Sequence, residues 1–226
     1  MKEIIIYADW IGLPTALEMG ILRAERSRRE EVFSFEYTQA WLQSGYAQEI
    51  DPDLKLFAGP QYITDEKPNF GLFLDSSPDR WGKTLMDRRE SILARQENRD
   101  RRRLTASDYL LGVNDETRMG GLRFKLDRDD HFLSQEKNIK TPPLTSIREL
   151  EQASLNIEND DLYDDKDAQK WLFMLVAPGS SLGGARPKAN VKDPAGNLWI
   201  AKFPSKNDER NIGAWEWMAN QMAQEL

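Results

Sequence analysis

From Gly179 to Pro204 the chain reads GSSLGGARPKANVKDPAGNLWIAKFP, the order of a glycine-rich loop, a strand, a tight turn and a second strand carrying a lysine. Gly183 and Gly184 have no Cβ, so the backbone there can take positive φ, approach a ligand closely and aim N–H groups at phosphate. From Lys188 to Lys192 the residues alternate. Ala189 and Val191 share one face and Lys188, Asn190 and Lys192 the other, the pattern of a half-buried strand. Asp193-Pro194-Ala195-Gly196-Asn197 breaks this strand and the chain returns as Leu198–Pro204, which predicts a hairpin. Period two places Leu198, Ile200 and Lys202 on one face of the returning strand, where a hydrated ammonium calls for a phosphate or a carboxylate.

A carboxylate follows on the next element. Asn211–Leu226 contains no proline and only Gly213 as a breaker, with Ile212, Ala219, Ala223 and Leu226 at helical spacing, and Glu216 falls inside that stripe. A strand lysine paired with a glutamate on the following helix, behind a glycine-rich loop, is the arrangement with which protein kinases hold ATP phosphates. Each part also has a plain reading. A glycine pair before a hairpin serves as a turn, a lone lysine snorkels to water and a lone glutamate on a helix is solvated. The order of the parts carries the nucleotide reading.

Two groups of residues resemble one family. Ser180-Ser181-Leu182-Gly183-Gly184-Ala185-Arg186-Pro187-Lys188-Ala189, followed by Trp199-Ile200-Ala201-Lys202-Phe203-Pro204, is similar to the start of the kinase core in HipA-like proteins. These are serine/threonine kinases, several of them toxins of bacterial toxin–antitoxin pairs. Phe33-Ser34-Phe35-Glu36-Tyr37, Ser77-Pro78-Asp79-Arg80-Trp81-Gly82 and Asp108-Tyr109-Leu110-Leu111-Gly112 extend the resemblance to the N-terminal part.

The resemblance implies that Lys202, which the spacing pairs with Glu216, binds the ATP phosphates. It implies that Ser180–Lys188, with Ser181, Gly183, Gly184 and Lys188, forms the loop over them. It further implies that Ser181 is autophosphorylated to switch the kinase off, a role the adjacent Ser180 can share. The family's catalytic aspartate and the asparagine and aspartate that bind Mg2+ belong to a C-terminal half beyond Leu226, so this chain alone is expected not to transfer phosphate. Implied partners are a DNA-binding, HipB-like antitoxin and a protein substrate such as an aminoacyl-tRNA synthetase.

Composition bounds the alternatives. With 226 residues, 39% of them apolar, and seven tryptophans, the chain can bury a real core in one or two domains. No apolar run approaches the roughly 20 residues of a membrane span, and Met1–Ile6 lacks the features of a secretory signal. The absence of cysteine suits a cytoplasmic protein and removes thiolate metal sites; a single histidine, His131, argues against zinc. A net charge of −7 argues against a nucleic-acid footprint over the whole surface. The stretch with Arg99, Arg101, Arg102 and Arg103 can contact DNA phosphates or an acidic partner, or simply sit at a helix C-terminus. The acidic run Glu158–Asp167 lacks the glycine and closing glutamate of a calcium loop and reads as linker.

In chain order, Lys2–Tyr7, Leu17–Leu22 and Val32–Tyr37 predict an antiparallel meander in which Phe33, Phe35 and Tyr37 face one way. Leu42–Phe70 reads as loop. A helix is predicted from Ser77 as N-cap to about Arg95–Asn98, with Trp81, Leu85 and Ile92 buried. Thr105 with Asp108 forms a capping box for a short helix to Leu111, Gly120–Leu126 is a strand, Ser146–Ala153 is a helical turn or two, and a further helix runs through Trp171–Ala177. Asp193 and Asn197 have a metal-like spacing, but a turn role fits them better.

The expected fold is α+β: an N-terminal antiparallel β-meander with helices over residues 1–140, a linker over 141–168, and the start of a protein-kinase-like core over 169–226. The expected function is that of the N-terminal portion of a HipA-like serine/threonine kinase. The rival is a non-catalytic interaction module, antitoxin-like, that binds a separate kinase half or a DNA-binding antitoxin.

Overall fold

A computed structural model describes residues 1–27, 30–63, 67–133, 141–158, 172, 175 and 184–224. The fold is mixed α+β. It divides into two compact units, Met1–Pro78 with Arg103–Glu136, and Asp79–Arg102 with Lys137–Leu226. Among the described residues no helix is long and apolar enough to cross a membrane.

The first unit is a five-stranded antiparallel sheet built from β1 (Lys2–Ala8), β2 (Leu17–Ser27), β3 (Glu30–Tyr37), β4 (Gln61–Tyr62) and β5 (Leu122–Lys125), in the order β4-β3-β2-β1-β5. Alternation decides its faces. Phe33, Phe35 and Tyr37 are buried as predicted, with Ile4, Ile6, Met19, Leu22 and Phe124 in the same core. On the other face Arg23 bridges Glu3 (2.9 Å) and Glu36 (2.8 Å) across three strands. Gly20 has no substitute here, since a Cβ would lie 2.4 Å from the Phe35 ring and 2.5 Å from the Glu36 carbonyl oxygen.

Helices α1 (Gln39–Leu42) and α2 (Gly71–Asp75) flank the stretch Leu42–Phe70 that the sequence presents as loop. Asp51, buried, explains α2: one carboxylate oxygen accepts from Asp53 N (2.9 Å) and the other from Leu72 N (2.7 Å), satisfying an orphan donor of the helix from 21 residues away. The short helix α4 (Ala106–Leu111) has the predicted capping box between Thr105 and Asp108. Arg118 then ties the segments together. Its guanidinium donates to the carbonyl oxygens of Ser76 (2.8 Å), Leu110 (2.9 Å) and Val113 (2.8 Å) and lies 4.3 Å from the centre of the Phe124 ring. Burial pushes it down to about 10 against the pull of Asp115.

The second unit begins with α3 (Arg80–Gln96), capped by Asp79 rather than by Ser77. Ser77 Oγ instead donates back to Phe73 O (2.7 Å), closing α2, because a hydroxyl one turn after a helical carbonyl finds that acceptor first. The helix ends as predicted: Asn98 takes φ 50°, its N–H reaches Arg95 O (3.1 Å), and Arg99 N–H reaches Ala94 O (2.9 Å), a Schellman closure. Buried Trp81, Leu85 and Ile92 pack with Leu150, Ala153 and Ile157 of α5 (Ile147–Glu158) and with the hairpin of β6 (Lys188–Lys192) and β7 (Leu198–Lys202). The chain ends in α6 (Ile212–Gln224). The predicted helix through Trp171–Ala177 and the acidic run after Glu158 lie mostly or wholly outside the described residues.

Two expectations for the hairpin and α6 are corrected. Strand β6 is buried on both faces, with Lys188 and Asn190 as covered as Ala189 and Val191. By contrast Leu198, Ile200 and Lys202 face outward on β7, and no described residue of α6 is buried, so the stripe of Ile212, Ala219 and Ala223 is not a core face in this chain.

Replacing Arg118 with Leu should cost about 3 kcal/mol or more, since three buried carbonyls lose their donors. Arg118→Lys should recover only part, because one ammonium cannot reproduce the fork. The shift in urea midpoint measures both. In the second unit the buried Glu90 carboxyl is held at about 2, below the ordinary 4.5, by hydrogen bonds from the Arg99 guanidinium and the Arg102 backbone N–H. A depressed carboxylate stabilises above its unfolded value, and that stability is lost as pH falls from about 4.5 to about 2. Unfolding curves across this window should show the loss in the parent chain and a flatter profile in Glu90→Gln.

Candidate functional site

Lys202 ends β7 and Glu216 sits in the second turn of α6, and their side chains meet at 2.8 Å. The hairpin register pairs Lys188 with Lys202, so the end of the strand is fixed by β6. The start of α6 is fixed by Asn211, whose side chain accepts from Ala214 N (3.0 Å) while its carbonyl accepts from Trp215 N (3.2 Å). The Lys202–Glu216 pair is therefore positioned from a hydrogen-bonded strand and a capped helix. It is also half-exposed, 51% and 49%, so the sequence argument that Lys202 lies on a buried apolar face does not hold.

The pair borders a cleft of about 420 Å³ that Arg186, Phe203, Ser205, Asp208 and Arg210 also line. Arg186 donates to Phe203 O (3.2 Å) and pairs with Asp208, which in turn accepts from Ser205 N (3.0 Å). Arg186 and Arg210 were not foreseen as site residues. Arg186 sits inside the recognised loop motif, a signal available to sequence reading, whereas Arg210 reaches the cleft only through the turn before α6. Three cations against two carboxylates around one cleft suit an anionic ligand.

Across from Lys202 in the hairpin register, Lys188 is buried and paired with Asp79, and its Nζ lies 3.4 Å from Gly184 O. Gly184 takes φ +99°, a conformation that favours glycine. Ser180, Ser181 and Gly183 lie outside the described residues. Asp193 and Asn197 form the turn: the Asp193 carboxylate accepts from Asn197 N, Asn197 Nδ2 and Trp199 Nε1, each at 2.9 Å. Those bonds, the Trp199 one foremost, hold its carboxyl at about 2. Among the described residues no group of three or more His, Cys, Asp or Glu is placed to hold a metal ion.

The basic stretch is largely engaged within the protein. Arg99 bonds Glu90 and Glu97, Arg101 lies 3.7 Å from Asp87, and Arg102 lies 3.6 Å from Glu90. Arg103 lines a separate cleft of the first unit together with Arg26, Glu30, Glu31 and Lys67. Comparison with protein-family models, curated proteins and solved structures finds no match in any of the three.

Because Lys202 and Glu216 are half in water, their attraction should add little to folding. Lys202→Ala or Glu216→Ala should shift the unfolding free energy by less than about 1 kcal/mol, as read from chemical denaturation.

Proposed function

We propose that the chain is the nucleotide-binding, N-terminal portion of a HipA-like serine/threonine kinase, with the ATP phosphates lying in the cleft at Lys202. The observation that carries this reading is the ion pair between a strand lysine and a glutamate on the next helix, beside a cleft that adds two arginines. Phosphoryl transfer depends on positioning and on stabilising charge rather than on covalent chemistry by the protein. In this reading Glu216 orients the Lys202 ammonium, which meets phosphate oxygens, and Arg186 and Arg210 add positive field. Ser180 and Ser181 are the proposed autophosphorylation sites, and a HipB-like antitoxin and a protein substrate such as an aminoacyl-tRNA synthetase are the proposed partners. The donor set fits phosphate. It does not fit magnesium, for which the described residues offer no ligand cluster.

A second reading, a non-catalytic interaction module, is favoured by the apolar surface of β7 and α6. Leu198, Trp199, Ile200, Trp215, Trp217, Met218 and Met222 are all exposed. Exposed aromatic and methionine side chains in such number mark association surfaces more often than free ones.

The test is ATP binding followed by incubation with labelled ATP and magnesium. The parent chain should bind nucleotide, and Lys202→Ala should weaken binding by roughly tenfold or more, the value of a charge-assisted bond to phosphate. No label should reach Ser180 or Ser181, since the catalytic aspartate is assigned to the family's other half. Label that appears and vanishes in Lys202→Ala would show that this chain carries the chemistry. Absence of any nucleotide binding would favour the interaction module.

A further inference from the structure

We propose that Asp79 is a positioning residue of the nucleotide site, fixing Lys188 and through it the end of the glycine-rich loop; this rests on the nucleotide-binding reading above. The Asp79 and Lys188 side chains are each only 4% exposed and form an ion pair. Asp79 divides its carboxylate between two tasks. Oδ1 accepts from Gly82 N (2.7 Å) and caps α3, while Oδ2 accepts from Lys188 Nζ. Capping accounts for the first oxygen alone, because asparagine or serine caps as well without burying a charge.

Stability does not account for the second oxygen either. Withdrawing two charges from water costs about as much as their attraction returns, and an apolar pair of similar volume is often equally stable or better. What the pair does supply is direction. Lys188 is held at both ends by the first turn of α3: Asp79 takes the ammonium and Trp81 donates its indole N–H to the Lys188 carbonyl (3.0 Å). The same ammonium lies 3.4 Å from the carbonyl oxygen of Gly184, four residues upstream, and a Cβ at Gly184 would lie 3.7 Å from it. Asp79 thus reaches Gly184 through Lys188, and Arg186, which lines the cleft, sits between those two anchored residues. A phosphate ligand at Lys202 meets a loop whose end is referenced to α3.

The experiment compares Asp79→Asn, Lys188→Met and the double variant with the parent chain, using ATP as probe. Asp79→Asn keeps the cap and removes the charge; the double variant removes both charges and leaves no buried ion unpaired. ATP affinity should fall by roughly tenfold or more in each single variant and by no more in the double, whose melting temperature should stay near that of the parent. In the parent chain itself, saturating ATP should move the ¹⁵Nζ resonance of Lys188, a readout that does not depend on any variant folding. A double variant that binds ATP like the parent, or an unmoved Lys188 resonance in a parent chain that does bind, overturns the positioning role and leaves the nucleotide reading intact. A parent chain that binds no ATP overturns both.

Discussion

Among the described residues each unit holds one buried cation with a partner from a distant part of the chain. In the first unit Arg118 meets no carboxylate at hydrogen-bond distance among the described residues. It gathers three carbonyl oxygens that the ends of α2 and α4 and the turn after them leave unsatisfied. A guanidinium suits this because its donors fan out in a plane and it keeps its charge when buried more readily than an ammonium does. In the second unit Lys188 plays the corresponding part with a compact charge, an aspartate and a glycine carbonyl. Each cation is thereby fixed in place against its apolar core, since neither can shift without leaving a buried polar group unpaired.

The local signals in the sequence translated well. Alternation at Phe33, Phe35 and Tyr37 named the core face of β3, the Thr105–Asp108 box marked the start of α4, and the turn residues from Asp193 to Asn197 set the hairpin. All of these depend on neighbours a few residues apart. Contacts across long separations left no such trace. Asp51 serving Leu72, Arg118 serving Ser76 and Asp79 serving Lys188 join residues 21, 42 and 109 positions apart. Nothing in the spacing of either partner announces the other.

The candidate site divides along the same line. The Lys202–Glu216 pairing was legible because strand order and helical spacing placed both residues. Their surroundings were not. Periodicity says which residues share a face and is silent on whether anything covers that face, so Ile212, Ala219 and Ala223 looked like a core stripe. Ser77 misled for a related reason: a serine before a proline has the composition of an N-cap, but the helix that precedes it competes for its hydroxyl. The helix α3 shows the limit for domain boundaries, since its sequence position lies among residues of the first unit while it folds with the second.

The placement of the tryptophans has an optical consequence. Trp41 is buried in the core of the first unit and Trp81 in that of the second, while Trp199, Trp215 and Trp217 stand in water on β7 and α6. Indole emission follows the polarity around the ring, so the buried rings, with half-buried Trp10 packed against Trp41, emit to the blue of the exposed rings on the hairpin and α6. Single tryptophan-to-phenylalanine replacements at 41 and 81 separate the interiors from each other. The chain thus carries its own set of spectroscopic probes, one for each core and one for the surface beside the cleft.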